Sequence, residues 1–192
     1  MIPELGHYAL VLALVMALAQ ATLPMVGAAR GIRPWMQLAR PAALAQFAFV
    51  AFAFVTLMYS FASSDFSVAI VTQHSHSEQP LIYRLSATWG NHEGSLLLWV
   101  LILTIFGALV ALFGENLPPR LKARTLSVQA MISVGFLLFM LLTSNPFTRL
   151  SPAPFEGEEL NPLLQDRGLA MHPPMLYLRY LGFSIVYSFP VG

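Results

Sequence analysis

The sequence predicts an all-α fold: a polytopic membrane helical bundle of about five transmembrane helices with two long external loops. Three observations lead there. Of the 192 residues, 57% are hydrophobic and only 10% charged, and the mean hydropathy is +0.67; soluble domains carry about 25% charge, which a water-facing surface needs and a lipid-facing one excludes. Five unbroken apolar stretches run at about residues 9–26, 42–62, 95–113, 126–143 and 173–191. Each approaches the roughly 20 residues that cross a ~30 Å hydrocarbon layer as a helix. Finally, basic and acidic residues separate cleanly between alternate connections.

The first stretch follows an octapeptide that holds Glu4 and no Lys or Arg. It lacks both the basic start and the small-residue cleavage site of a signal peptide, so it reads as a retained span. Runs this long without polar alternation exclude a β-barrel. The linker after the first stretch carries Arg30, Arg33 and Arg40, and the linker after the third carries Arg120, Lys122 and Arg124, against the single acid Glu115. Loops 63–94 and 144–172 hold Asp65, Glu78, Glu93, Glu156, Glu158, Glu159 and Asp166 against Arg84, Arg149 and Arg167. The positive-inside rule makes the basic linkers cytoplasmic. The N-terminus and both long loops then face outward, which in a bacterium places the chain in the inner membrane with those loops in the periplasm.

Each long loop has about thirty residues, beyond the ~12–15 usual for a plain connection. Trp89, Tyr83, Phe147, Phe155, Leu163 and Leu164 make them too apolar for solvated chain. They are expected to fold onto the outer membrane surface. The chain has no cysteine, which removes disulfides, thiolate metal sites and covalent haem attachment through a Cys-x-x-Cys-His. A formal net charge of +1 gives no sign of nucleic-acid binding.

Two strings concentrate chemistry. Trp89-Gly90-Asn91-His92-Glu93-Gly94-Ser95-Leu96-Leu97-Leu98-Trp99 lies where the first loop re-enters the bilayer. One reading makes Trp89 an interfacial anchor with His92 and Glu93 at headgroup level. The other has His92 and Glu93 orient a ligand while Gly90 and Gly94 allow close backbone approach. The second string is Asn161-Pro162-Leu163-Leu164-Gln165-Asp166-Arg167-Gly168-Leu169, then Met171-His172-Pro173-Pro174-Met175-Leu176-Tyr177. Asn161 and Pro162 suit an N-cap and first helical position, and Gly168 a stop, so a short surface helix is expected. Pro173 and Pro174 then open the fifth span in its first turn, where proline is tolerated. They stiffen the backbone around His172, whose imidazole is either an iron ligand or an interfacial helix cap. Arg179, seven residues on, falls on the same helical face two turns deeper; it either snorkels or pairs with an anionic group such as a propionate. His74 and His76 read as solvated loop residues, and His7 as a terminal interfacial residue.

In order and position these strings resemble the CcmF family, the large haem lyase subunits of bacterial cytochrome c maturation. The resemblance runs along essentially the whole chain, strongest in Trp89–Trp99, Ser133-Val134-Gly135-Phe136-Leu137-Leu138-Phe139, Thr143-Ser144-Asn145-Pro146-Phe147 and Asn161–Tyr177. It implies the N-terminal part of a haem-handling protein, with His172 matching the first of two external histidines that hold haem. His92, Glu93, Trp89 and Arg179 become the shell of that site. It also implies haem arriving on a CcmE-type chaperone, and CcmH- and CcmI-type subunits presenting the apocytochrome c whose cysteines become thioether-linked. The family's Trp-rich external motif is missing, since the only tryptophans are Trp35, Trp89 and Trp99. The second external histidine and the histidines for a b-type haem would lie beyond residue 192, so the chain reads as truncated or as one piece of a split protein, inactive as a lyase alone.

Rival readings are a membrane transporter, a respiratory subunit holding haem b or quinone, and a structural scaffold. The first four apolar stretches contain no Asp, Glu, Lys, Arg or His, only Gln20, Gln46 and Gln129 among long polar side chains. Ion coupling needs ionisable groups at mid-bilayer and haem b needs intramembrane histidines, so this counts against the first two. A scaffold role stays open.

Overall fold

A computed structural model describes residues 1–158 and 167–191. The long helices are α1 (Ile2–Arg30), α3 (Ala39–Ala62), α6 (His92–Phe113), α7 (Pro119–Thr143) and α8 (Arg167–Val191); α2 (Arg33–Gln37), α4 (Ala69–His74) and α5 (Leu81–Ala87) are short. Among the described residues there is no strand, only an isolated bridge between Val68 and Arg149. Four helices are long and apolar enough to cross a membrane: α1, α2 running into α3, α6 into the 3₁₀ turn Gly114–Asn116, and α7. The chain is thus a membrane helical bundle. The helices outrun the apolar stretches that announce them, because polar and basic residues at their ends extend the backbone ladder into the interface. α7 begins at Pro119, before Arg120, Lys122 and Arg124.

Lipid tails are as apolar as leucine, so packing, rather than removal from water, drives these helices together. The sequence answers with small residues. Ala9, Ala13, Ala17 and Ala21 recur every fourth position of α1 and are all buried, and Ala39, Ala42, Ala43 and Ala53 are buried on α3. This stripe lets α1 pack closely along both α3 and α7. α1 ends in a left-handed cap at Gly31 (φ 73°), a conformation glycine adopts without penalty.

Glutamines fasten what packing brings together. Gln20 Nε2 donates to the Leu126 carbonyl (2.9 Å) while Ser127 Oγ returns a bond to the Gln20 carbonyl (2.9 Å), tying α1 to α7. Gln129, only 3% exposed, joins three helices. Its Nε2 donates to the Leu103 carbonyl (3.3 Å) and Ser184 Oγ (3.0 Å), and its Oε1 accepts from Ser188 Oγ (3.0 Å). The polar spacing Ser184–Ser188 on α8 is one helical turn, so both hydroxyls reach one amide.

At the other end of the bundle from the two basic linkers, the two loops close over α1 and α3. The Ala69 N–H donates to the Thr148 carbonyl (2.9 Å) and the Leu150 N–H to the Ser67 carbonyl (2.8 Å). Arg149 bridges Glu4 (3.2 Å) and Asp65 (3.3 Å), and Asn145 Nδ2 meets His7 Nδ1 at 3.1 Å while Phe147 is buried over Gly6. Arg84 of α5 donates to the Ala62 carbonyl (3.1 Å) and Ser64 Oγ (3.0 Å), holding the first loop to the end of α3. Glu156 accepts from Ser77 through both Oγ (2.7 Å) and N–H (3.0 Å). The Ser77 hydroxyl, then the Ser77 N–H, hold its carboxyl below the usual range against a small opposing desolvation; the Gly157 N–H and the nearby His76 ring add to the lowering.

Two outcomes are expected. Gln129→Leu should cost about 1–2 kcal/mol, since interhelical hydrogen bonds in membranes average near 0.6 kcal/mol each; unfolding in mixed detergent micelles measures it, and an unchanged midpoint would remove Gln129 as a fastening. A carboxylate whose pKa is lowered on folding stabilises the fold above its ordinary pKa and loses that contribution as pH falls through the lower folded value. Amide exchange at Ser77, corrected for intrinsic rate, should therefore be faster in Glu156→Gln at neutral pH, with the parent converging on the variant in acid. Identical exchange in both proteins across that range would contradict the clamp.

Candidate functional site

The Trp89–Trp99 string forms the entry turn of α6. Asn91 is the N-cap: its Oδ1 accepts the Gly94 N–H at 2.7 Å and its Nδ2 donates to the Ala87 carbonyl at 2.7 Å, with the residue 7% exposed. Asparagine suits this position because its short amide reaches the unpaired N–H groups of the first turn. The close approach made possible by Gly94 is to the chain itself, since a Cβ there would collide with the Thr88 carbonyl oxygen. Glu93 occupies the first turn of α6, where a carboxylate is favoured by the positive end of the helix dipole. His92 is exposed, its ring edge-on to Phe139 of α7 with centroids 6.2 Å apart. Trp89 is half-buried against the core cluster.

Trp99, two turns into α6, reaches α8. Its ring centroid lies 5.2 Å from Tyr177 and 6.0 Å from Phe136. With Tyr177 against Trp99, Leu181 buried, and Ser184 and Ser188 bonded to Gln129, one face of α8 is committed to the bundle. The opposite face is thereby fixed by helical geometry. It carries His172, Met175, Leu176, Arg179, Tyr180 and Phe183, which line an open groove of about 520 Å³.

His172 is exposed, and no described residue hydrogen-bonds its ring. Arg179 lines the same groove, as its spacing predicts. Met175, Tyr180 and Phe183, absent from the sequence-derived site, fill the positions between and beyond; the i+3, i+8 and i+11 spacing from His172 is the signal that could have found them. Trp89, His92 and Glu93 do not line this groove, which belongs to α8 alone among the described residues.

One sequence expectation is corrected. Pro173 and Pro174 do not open a helix: α8 is already formed at Arg167, and Gly168 lies within it rather than ending a surface helix. The prolines therefore sit in the second turn, where they remove the donors that would close on the Leu169 and Ala170 carbonyls. Membrane helices tolerate this where neighbours re-satisfy the backbone. The predicted start of the surface helix, at residues 161–166, lies outside the described residues. His74 Nδ1 donates to the Ile70 carbonyl (3.1 Å) and His76 lies 3.9 Å from Glu156; among the described residues no cluster of three or more His, Asp or Glu could hold a metal.

Residues 89–191 match the model of a family described as cytochrome C assembly protein. The chain is 60% identical over 192 residues to the cytochrome c-type biogenesis protein CycK of Rhizobium meliloti, covering 100% of this chain and 28% of that protein. It is 58% identical to the cytochrome c-type biogenesis protein ccl1 of Rhodobacter capsulatus (100% and 29%) and 48% identical to CcmF of Escherichia coli (100% and 30%). A solved structure titled cytochrome c heme lyase CcmF superposes with a TM-score of 0.84 at 26% identity, over 98% of this chain and 29% of that one. The chain thus spans under a third of the length of the relatives it matches.

The α6 entry turn generates a stability ordering. Asn91→Ala should cost about 1 kcal/mol as a lost cap, and Gly94→Ala more, because its methyl group meets backbone rather than a movable side chain. Thermal midpoints in detergent test this; a harmless Gly94→Ala would show that the turn is not as tight as described.

Proposed function

Because this chain belongs to the cytochrome c assembly protein family, we propose that it works in cytochrome c-type biogenesis as the membrane part of a haem lyase that holds haem through His172. The observation that carries the reading is the open face of α8. An imidazole free of described partners and a guanidinium two turns below it line one groove, with Met175, Tyr180 and Phe183 as an apolar and aromatic shelf. These residues fit one side of a haem. A neutral imidazole nitrogen supplies an axial ligand to iron, Arg179 pairs with a propionate, and the shelf packs the porphyrin face.

The groove has one wall, and the relatives are more than three times as long as this chain. The opposite wall and second axial ligand come, on this reading, from the rest of the full-length protein, as do the ligands of any b-type haem. Trp89, His92 and Glu93 shape the rim from α6, whose Trp99 sets the register of α8. Haem is cargo here. Thioether formation adds a cysteine S–H across a haem vinyl group, sulfur bonding one carbon and the proton the other, with no leaving group. The cysteines belong to the apocytochrome, for this chain has none. A CcmE-type chaperone delivers the haem and CcmH- and CcmI-type subunits present the apocytochrome. The acidic loops and the His172 end of α8 lie on the periplasmic side of the bacterial inner membrane, and α8 crosses as a fifth span. The distribution of charge supports that orientation.

In the full-length protein, His172→Ala should shift the haem absorption bands and lower c-type cytochrome yield about tenfold or more, metal-site substitutions of lesser reach already costing 10–100-fold. Arg179→Gln should weaken haem binding by roughly 1.5–3 kcal/mol while leaving the axial-ligand bands in place. Unchanged spectra and yield in His172→Ala would overturn the assignment.

A further inference from the structure

A second cavity lies at the other end of the bundle from His172. It measures about 840 Å³ and is walled by the turn after α1, by α2, the start of α3, the 3₁₀ turn and the first turn of α7. Four cations line it, Arg33, Arg40, Arg120 and Lys122, against the single carboxylate Glu115. That carboxylate sits 3.8 Å from Arg40 and is largely exposed, so it offsets little of the charge. Lys122 Nζ donates to the Ala111 carbonyl (2.9 Å), which anchors the lysine without neutralising it.

Two features set the chemistry of a ligand that would suit this cavity. Arg120 and Lys122 stand in the first turn of α7, the end of a helix where cations are disfavoured and anions favoured. An anion in the cavity would satisfy both the helix and its basic residues. The level of the cavity is that of the helix ends, and its wall is mixed: Met36, Leu117, Pro41 and Pro118 lie among the cations. Beside it in the chain, Phe113 is 76% exposed and Leu112 39%, an apolar surface running into the bilayer. A soluble anion has no use for that surface. A phospholipid does, with phosphate among the cations and acyl chains along α6.

We propose that this cavity is a binding site for the headgroup of an anionic phospholipid. Basic pockets between transmembrane helices at the cation-rich membrane face have the chemistry to hold such headgroups, and here the site clamps α2, α3 and α7 at the turn on which the bundle reverses. The site is independent of the haem reading, since it shares no residue with the groove on α8.

The test uses the purified full-length protein, stripped of lipid and titrated in detergent with dioleoylphosphatidylglycerol, dioleoylphosphatidylcholine or inorganic phosphate. Retention is read by native mass spectrometry and stabilisation by thermal midpoint. Phosphatidylglycerol should bind and stabilise in preference to phosphatidylcholine. Arg40→Gln/Arg120→Gln should weaken that preference, by about fivefold per cation removed, and Arg40→Lys/Arg120→Lys should keep most of it. Should the neutral variant not fold, a phosphatidylglycerol with a photoreactive headgroup, crosslinked to the parent protein, is expected to label peptides spanning 31–41 and 114–123. Equal binding of both lipids, stabilisation by inorganic phosphate matching that by phosphatidylglycerol, unaltered preference in the neutral variant, or labelling confined to other segments would each overturn the proposal.

Discussion

The amide of Gln129 is the interaction on which the geometry of this chain turns. A helix in lipid closes its own backbone hydrogen bonds, so nothing in the backbone itself tells one helix where to sit against the next. Side chains must supply that, and without a hydrophobic drive they do so through close contact of small residues and a few buried polar groups. The alanine stripe of α1 seats α1 between α3 and α7. Gln129 then fixes α8, reaching the Leu103 carbonyl on α6 and two hydroxyls on α8 from a single position on α7.

Once Ser184 and Ser188 are bound to Gln129 and Tyr177 rests on Trp99, α8 has no rotational choice left. His172, Met175, Arg179, Tyr180 and Phe183 must point away from α6 and α7. The proposed haem face is therefore a consequence of interhelical bonds made by Ser184 and Ser188, three to four turns beyond His172 on α8. The Asn91 cap and Gly94 serve the same end from the α6 side, since they set where Trp99 lies along the bundle. Residues conspicuous in the sequence for their chemistry turn out to act in part through position.

Much of this was legible in the sequence. Apolar length and the scarcity of charge give the membrane helical bundle, because the bilayer imposes one period and one minimum length. The seven-residue spacing of His172 and Arg179 gives their shared face for the same reason. What was not legible rests on contacts between distant segments. Nothing local marks Glu156 as the partner of Ser77, or Arg149 as the bridge between Glu4 and Asp65. The role of Asn91 was readable from its spacing to Gly94, yet the neighbouring His92 and Glu93 drew the chemical reading. The start of α8 was misplaced because a Pro-Pro pair is a strong helix-opening signal in water and a weaker one where neighbouring helices hold the backbone.

The two ends of the bundle differ in kind. One gathers the cations around a cavity; the other folds acidic loops over α1 and α3 and carries His172. The proposed function requires the second end to face the periplasm, and cysteine labelling measures that directly. Single cysteines at the exposed positions Glu78 and Asn116 of the full-length protein can be labelled in intact cells with a membrane-impermeant maleimide, against the background of the unsubstituted protein. The account predicts labelling of Glu78→Cys from outside and of Asn116→Cys only after the inner membrane is opened. The reverse pattern would put His172 on the cytoplasmic side, away from any apocytochrome in the periplasm, and would contradict the account at its centre.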